Sequence, residues 1–207
     1  MNLSANPYIK ARTALAAILM WGAAACSQEA PLNPGEPPLA GASIGGDVAL
    51  VDEEGKDVSF NDYAGKYRMV YFGYAYCPDI CPYDVQRMAK GYEDFKAANP
   101  ELSDKVIPMF ISVDPQRDTA EVVAEFTAAF SSDMIGFTGT EKQIADAAKA
   151  FGVFYSKGAV DEDNPEAYLM DHSRAAFLMG PDGKPIALLP VEESAAGVTK
   201  ALETWVS

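Results

Sequence analysis

The chain has 207 residues, 49% of them hydrophobic, which is enough for one domain with an ordinary core once a leader is removed. It carries 30 acidic and 16 basic residues, giving a formal net charge of −14, so its surface repels nucleic-acid phosphates and anionic lipid headgroups. Nucleic acid is therefore excluded as a partner. Metal ions and basic protein surfaces remain possible partners, although solubility alone also explains such a charge.

The first 25 residues predict an export signal of the lipoprotein type. Lys10 and Arg12 precede an apolar stretch that is short for a membrane span and ends in small residues. The run Ala23–Cys26 resembles a bacterial lipoprotein box, although alanine replaces the usual leucine three residues before the cysteine. Lipid attachment at Cys26 would tether the protein to the periplasmic face of the bacterial cell membrane. The alternatives are cleavage after an Ala-x-Ala pattern and an uncleaved anchor.

Residues 26–46 are rich in proline and glycine, a composition that cannot bury a core, so we expect an extended linker there. The folded domain is then predicted to span residues 47–207. It begins with a β-hairpin over Asp47–Phe60, whose turn lies at Asp52–Gly55. The apolar runs Tyr67–Tyr76 and Val106–Val113 predict two buried strands.

Helices and further strands alternate along the rest of the domain. Apolar residues at helical spacing predict helices at Pro82–Ala98, Thr119–Phe130, Glu141–Phe151 and Ser194–Val206. Shorter apolar runs predict strands at Met134–Phe137, Val153–Tyr155, Ala175–Met179 and Ile186–Leu189. Asp118 is a candidate cap for the second helix. This order predicts an α/β domain with a mixed sheet flanked by helices.

Two cysteines lie where the first buried strand leads into the first helix, in the segment Tyr76–Pro82, which reads YCPDICP. Ligands bind at such junctions in open α/β sheets. The free N–H groups and the dipole of the helix are expected to stabilise thiolates at Cys77 and Cys81 and to lower their pKa values. Their spacing suits either a disulfide or two thiolates on one metal ion.

His172 is the only histidine in the chain, so any site that needs an imidazole must use it. It ends a polar loop and precedes the strand predicted at Ala175, a setting that favours a ligand over a packed core residue. Two thiolates and one imidazole suit copper in either oxidation state, and zinc accepts the same set with a fourth ligand. A structural disulfide and a redox dithiol without metal remain alternatives.

Other polar and sulfur-bearing side chains near these elements receive simpler interpretations. Met109, Met170 and Met179 are predicted to be core residues, although a thioether is a possible copper ligand. Asp79, between the cysteines, is expected to adjust the local charge. Asp114 is expected to hold its loop by pairing with Arg117, three residues later, in preference to facing the site.

Several short motifs in family order resemble the Sco/SenC family of thioredoxin-fold copper chaperones across roughly residues 44–206. They are Tyr71–Tyr74 (YFGY), Cys77–Pro82 (CPDICP), Val113–Asp118 (VDPQRD) and Asp171–Ser173 (DHS). The resemblance implies a thioredoxin-like fold, with Cys77, Cys81 and His172 as copper ligands. It also implies a role in building the dinuclear copper centre of cytochrome c oxidase subunit II. Tyr76 departs from the family, which commonly has threonine before the first cysteine.

Two hypotheses of different class follow. The first is a metallochaperone that delivers copper to oxidase subunit II and exchanges metal or electrons with other periplasmic copper carriers or thiol reductants. The second is an exported thiol-disulfide oxidoreductase with no essential metal, in which Cys77 and Cys81 form the redox pair. The fold permits both, and His172 discriminates between them because only the copper site needs it.

Overall fold

The computed structural model describes residues 35–160 and 163–207, so the predicted leader and Cys26 lie outside the described residues. The strands are β1 (Ala49–Asp52), β2 (Asp57–Ser59), β3 (Tyr67–Gly73), β4 (Val106–Ser112), β5 (Ile135–Thr138), β6 (Tyr155–Lys157), β7 (Met170–His172), β8 (Ala176–Met179) and β9 (Pro185–Leu189). The helices are α1 (Ile80–Ala98), α2 (Ala120–Ala128), α3 (Glu141–Phe151) and α4 (Ala195–Trp205). None of the helices in these two ranges combines the length and apolar character needed to cross a membrane.

Seven strands form one mixed sheet in the order β2-β1-β5-β4-β3-β8-β9. Strands β3, β4 and β5 are parallel, whereas β8 pairs antiparallel with β3, and β1 pairs antiparallel with β5. Every residue of β3 is buried because the strand has a neighbour on each side and is covered on both faces, as expected from its continuous apolar run. The predicted α/β class and mixed sheet are confirmed.

The predicted N-terminal hairpin is also confirmed, with β1 and β2 pairing antiparallel at the outer edge of the sheet. Gly55 closes its turn with a φ of 78°, a conformation that glycine adopts without a steric penalty. Helix α1 packs closely against α4. A Cβ at Gly91 would lie 2.6 Å from the Val198 side chain, so the two helices approach each other through a residue with no side chain.

Two helix starts differ from the sequence prediction. Helix α1 begins at Ile80, two residues earlier than expected, which places Cys81 inside its first turn. Pro82 is tolerated there because the first turn of a helix has no intrahelical partners for its N–H groups. The suggested cap of α2 by Asp118 is wrong. Thr119 is the N-cap, and its side chain accepts a hydrogen bond from the Val122 N–H.

Strands β6 and β7 form a separate two-stranded sheet, called here the ribbon. Tyr155 lies opposite His172 in its antiparallel register. The prediction left His172 at the end of a loop, whereas the structure places it at the end of β7. A strand of three residues has too little alternation to be recognised in a sequence.

Residues 35–46, predicted as part of a linker, contact the domain. Leu39 and Ile44 are partly buried against the core. The Leu39 N–H donates to the Ile186 carbonyl at 3.0 Å, and the Gly45 N–H donates to the Ala150 carbonyl at 2.9 Å. The packed part of the chain therefore begins before residue 47.

Candidate metal centre

The two cysteines lie on either side of the start of α1, and both are free thiols. Cys77 belongs to the loop after β3, and the Cys81 N–H points at its sulfur with an N···S distance of 3.4 Å. Cys81 is fully buried, whereas Cys77 retains 7% of its exposure. Cys77 is thus the sulfur that faces the surface, and Cys81 lies beneath it.

His172 completes the cluster across the sequence. Its Nε2 lies 3.1 Å from the Cys81 sulfur, although the two residues are 91 positions apart. Its Nδ1 lies 2.9 Å from the Ser173 carbonyl oxygen. Because a carbonyl oxygen only accepts hydrogen bonds, this contact places a proton on Nδ1 and leaves Nε2 facing the sulfur. The neutral tautomer is the one that binds metal through Nε2.

Two tyrosine rings flank the imidazole edge-on. The centroid of the Tyr71 ring lies 6.3 Å from that of His172, and the Tyr74 ring centroid lies 5.9 Å away, both nearly perpendicular. Edge-to-face contacts of this kind favour one orientation of each ring. The imidazole is therefore oriented by both its hydrogen bond and its aromatic neighbours.

The protein shifts the pKa values of the two thiols in opposite directions. The pKa of Cys77 is lowered, chiefly by a hydrogen bond from the Cys81 side chain, with further contributions from His172 and from backbone N–H groups. The pKa of Cys81 is raised by its hydrogen bond to Cys77 and by burial. The pKa of Cys77 thus shifts in the expected direction, but the Cys81 side chain contributes more than the N–H groups at the helix start, and for Cys81 the expectation is wrong. Two adjacent buried sulfurs cannot both hold a negative charge without a cation between them.

The donor set fits a soft metal ion. Two sulfurs and one imidazole nitrogen are the ligand types that copper prefers, and the Nε2 atom already faces the cluster. Within residues 35–160 and 163–207, no group of three or more Cys, His, Asp and Glu side chains is already spaced around an ion. Cys81 and His172 touch each other instead, so a bound ion would have to separate them.

A cavity of about 380 Å³ opens beside the cluster, between the Cys77 loop and the ribbon. Cys77 and His172 line it, whereas Cys81 lies behind them. Phe154 and Leu169, on the ribbon side, are 64% and 58% exposed. The site therefore faces solvent through an opening with apolar side chains beside it.

Arg117 joins the two sides of the site, and its predicted pairing with Asp114 is confirmed with an Nε–Oδ2 distance of 2.6 Å. Its Nη1 donates to the carbonyl of Tyr168 at 2.9 Å, and its guanidinium lies 3.6 Å from the centroid of the Tyr168 ring. It also lies 5.2 Å from the centroid of the Tyr76 ring. One cation thus contacts the residue before Cys77 and the segment that leads into β7.

Asp118 holds the loop that precedes Cys77. Its carboxylate accepts hydrogen bonds from the Ala75 N–H at 2.8 Å and from the Ser112 hydroxyl at 2.5 Å. Burial is the largest of the influences on its pKa, which is raised to about 6. The sequence suggested a helix cap at this position, and only the fold shows that the carboxylate anchors the Cys77 loop.

The remaining sequence interpretations have mixed outcomes. Met109 and Met179 are fully buried in the core, as predicted. Met170 is 9% exposed and lines the cavity, so it is both a core residue and a neighbour of the site. Asp79 is exposed, and its backbone N–H contributes to stabilising the Cys77 thiolate.

Comparison with known proteins matches residues 36–207 to the SCO1/SenC family model. The chain belongs to the SCO1/SenC family. It is 37% identical over 143 residues to the human protein SCO1 homolog, mitochondrial, covering 68% of this chain and 46% of that one. It is 33% identical over 162 residues to protein sco1 of Schizosaccharomyces pombe, covering 78% and 60%. The chain thus spans about half the length of the curated relatives it matches.

Solved structures of the family share the thioredoxin-like fold. Arabidopsis thaliana ScoI with copper bound matches with a TM-score of 0.68 and 34% identity, covering 77% of this chain and 95% of that one. Yeast Sco1 with copper bound matches with a TM-score of 0.69 and 31% identity, covering 78% and 87%. A SCO1/SenC family lipoprotein from Bacillus anthracis, at 20% identity and a TM-score of 0.62, shares the fold. The thioredoxin-like fold implied by the motifs is confirmed.

Proposed function

We propose that this chain binds copper through Cys77, Cys81 and His172 and delivers it to the dinuclear copper site of cytochrome c oxidase subunit II. One observation carries the proposal: the Cys81 sulfur and the His172 Nε2 lie 3.1 Å apart, with the Cys77 sulfur hydrogen-bonded to the Cys81 N–H. The likeness to two Sco structures with copper bound supports copper as the metal.

Copper suits these residues better than a hard cation would. The sulfurs are soft donors, and a bound cation would remove the repulsion that keeps the pKa of Cys81 raised. Loading with copper therefore releases the proton of Cys81 to solvent. Since the metal is cargo, the exposure of Cys77 and the open cavity matter, because an incoming ligand can replace one donor at a time.

The cavity beside Cys77 and His172 is also the place where the oxidase subunit would receive copper. We infer that the apolar side chains of Phe154 and Leu169 beside the cavity face the receiving protein. In the same role the dithiol reduces the cysteines of the apo-subunit, and other periplasmic copper carriers or thiol reductants reload and reduce it.

A second function is favoured by the lowered pKa of Cys77. A thiolate near the surface beside a more deeply buried thiol is the arrangement of a thiol-disulfide oxidoreductase. In that reaction Cys77 attacks a target disulfide, and Cys81 then displaces the target thiol. The Cys77–Cys81 bond forms as two electrons and two protons pass to the target. His172 has no required part in these steps.

A copper titration of the reduced protein, with and without reductant, tests the proposal. Wild type is expected to bind one copper ion and to show thiolate-to-copper charge-transfer absorption. His172→Ala should weaken binding by more than about 100-fold, since even outer-shell changes cost 10- to 100-fold. Asp171→Ala, an exposed neighbour on the same strand, is the matched control and should bind as wild type does. Equal copper affinity in His172→Ala and wild type would contradict the three-ligand site.

His172→Ala and a further variant, Cys81→Ser, separate the two functions. If thiol chemistry without metal is the main activity, His172→Ala should reduce a disulfide substrate at the wild-type rate and Cys81→Ser should not. If copper delivery is the main activity, both variants should fail to load subunit II.

We further propose that the mature protein is lipid-anchored at Cys26 on the periplasmic face of the bacterial cell membrane. The support is the leader pattern that ends in Ala23–Cys26. Mass spectrometry of the mature N-terminus should show a diacylglycerol adduct on Cys26. A mature chain that begins at another residue, or one that keeps Lys10 and Arg12, would contradict lipidation.

A further inference from the structure

The helix that carries Cys81 also carries a buried carboxylate one turn later. Asp84 follows Cys81 by three positions on α1, so the two side chains lie on the same side of the helix. Both residues are fully buried. Because a buried carboxylate has to be neutralised or hydrogen-bonded, the partners of Asp84 show which parts of the chain are fastened to α1 at this depth.

Arg174 is the charged partner of this carboxylate. Its Nε lies 2.9 Å from Asp84 Oδ2 and its Nη2 lies 2.8 Å from Oδ1, a two-point contact that fixes both the position and the orientation of the pair. Arg174 follows His172 by two residues, in the link between β7 and β8. The salt bridge therefore fastens the chain just after His172 to the helix that carries Cys81.

Tyr71 gives the same carboxylate a second connection to His172. Its hydroxyl donates to Asp84 Oδ2 at 3.1 Å, and its ring meets the imidazole edge-on with the two centroids 6.3 Å apart. A ring held at both places limits how far the imidazole can turn or shift. Asp84 thus reaches His172 both through the chain that follows it and through the ring beside it.

We propose that Asp84, Arg174 and Tyr71 form a clasp that positions the imidazole as a metal ligand. The clasp sets the separation of the Cys81 sulfur and the His172 Nε2, which lie 3.1 Å apart. Its three members are positioning residues, because they act through the elements that carry the ligands. The inference rests on the proposed copper site. Donors that folding has already brought together bind an ion more tightly, since less freedom is lost when it arrives.

Competition for copper(I) between the reduced protein and a chromophoric chelator tests the clasp. Arg174→Lys keeps the positive charge beside Asp84 but loses the two-point contact, so it changes the geometry and not the charge. Copper(I) affinity should fall about tenfold, the size of effect that outer-shell partners have.

Arg87→Lys is the matched control on the same carboxylate. The Arg87 Nη1 lies 4.0 Å from Asp84 Oδ1 but donates to the Glu192 carbonyl, so it joins α1 to the segment before α4. Copper(I) affinity in Arg87→Lys should equal that of wild type.

The same measurement in the His172→Ala background separates positioning from a general loosening of the fold. With the imidazole gone, the clasp has no ligand left to position, so Arg174→Lys should no longer weaken copper(I) binding. A salt bridge that only stabilised α1 would weaken binding by the same factor in both backgrounds.

Tyr71→Phe tests the second connection and needs no change to the salt bridge. Removing the hydroxyl should weaken copper(I) binding about two- to fivefold, as for the loss of one hydrogen bond, and only where His172 is present. Tyr92→Phe removes another buried hydroxyl, one that donates to the Val106 carbonyl, and should have no effect.

The outcomes separate this inference from the proposed function. If His172→Ala binds copper(I) as tightly as wild type, the three-ligand site is wrong and the clasp is wrong with it. If His172→Ala binds more weakly but Arg174→Lys matches wild type, the clasp alone is wrong. An equal loss from Arg174→Lys in both backgrounds also overturns the clasp. Should Arg174→Lys fail to fold, the comparison of Tyr71→Phe with Tyr92→Phe decides in its place.

Discussion

Cys81 and His172 meet at one point, yet the regions that hold them are built differently. Cys81 lies in the first turn of α1 against β3, a strand whose every residue is buried. His172 lies on the ribbon, which makes no strand pairing with the seven-stranded sheet and carries the exposed Phe154 and Leu169. One proposed ligand thus lies in a core element, and the other lies on a short ribbon that leads into β8.

This difference indicates which ligand yields first. Regions with few buried contacts open locally at lower free energy than core elements do. The ribbon is therefore the side from which copper would enter and leave, while the Cys81 side keeps its geometry. Substitutions on the Cys81 side should therefore change the free energy of unfolding. Substitutions on the ribbon side should change the rate of copper exchange.

The largest effect is expected from Arg174→Ala, on the core side. It leaves the Asp84 carboxylate buried without its two-point partner, and breaking such pairs typically costs about 3–5 kcal/mol. Because Arg174 is partly exposed, we expect about 3 kcal/mol less free energy of unfolding, measured with urea. Arg87→Ala is the control, since its guanidinium is 4.0 Å from the same carboxylate and more exposed. An equal loss of unfolding free energy in both variants would show that the Asp84–Arg174 pair stabilises the fold no more than the Asp84–Arg87 contact does.

Next is the pH dependence that Asp118 imposes on the loop before Cys77. Its pKa is raised from 3.8 to about 6, so the folded protein holds this proton more tightly than the unfolded chain does. Its stabilising contribution is complete below pH 3.8 and is lost as the pH rises through 6, about 3 kcal/mol in all.

Urea unfolding at several pH values checks this sign. From pH 4 to pH 7, Asp118→Asn should gain stability relative to wild type, because the amide has no proton to lose. Asp94→Asn, which changes a partly exposed carboxylate on α1, should follow the wild-type curve. A constant difference between Asp118→Asn and wild type across this range would contradict the assignment.

On the ribbon side, Arg117→Lys should affect copper more than folding. Lysine keeps the charge but loses the planar fork that contacts both Tyr168 and Asp114. We expect copper affinity about tenfold weaker, because outer-shell partners carry effects of this size, with a smaller change in unfolding free energy. Arg87→Lys is the matched control and should leave affinity unchanged. If Arg117→Lys lowered the unfolding free energy by more than the free energy of copper binding, Arg117 would mainly stabilise the fold.

The smallest effect is expected from Tyr76→Thr. The Tyr76 ring is 54% exposed, and its contact with Arg117 is worth about 0.5–1 kcal/mol, as for exposed cation–π pairs. Copper should dissociate about two- to fivefold faster, as followed by transfer to a chelator. Tyr83→Thr removes an equally exposed ring on α1 and should not change the rate. An unchanged rate of copper dissociation in Tyr76→Thr would mean that the ring contacts Arg117 without slowing copper release.

Local patterns in the sequence predicted what lies close along the chain. The apolar and aromatic run that begins at Tyr67 predicted the buried strand β3, and α3 was predicted with its observed bounds. The Asp114–Arg117 pair was predictable because three residues separate its members. The two cysteines proposed as ligands are only four positions apart, so their proximity could be predicted without tertiary information.

Contacts between residues far apart in the sequence could not be predicted. Asp84 and Arg174 are 90 positions apart, and nothing in either neighbourhood marks a buried ion pair. Asp118 resembled a helix cap because acidic residues often precede helices, but Thr119 takes that role. His172 was identified because it is unique in the chain, whereas its strand was too short to leave a pattern.

The hairpin at the far side of the sheet has a consequence for association between copies. Strand β1 occupies the outer edge of β5, and the sheet then ends at β2, only three residues long and containing the exposed Asp57. An edge this short and charged offers few free backbone groups to another chain. A variant lacking Ala49–Ser59 would expose the apolar strand β5 as a new edge. We expect that truncation to make the sheet more prone to pair with other copies of the chain.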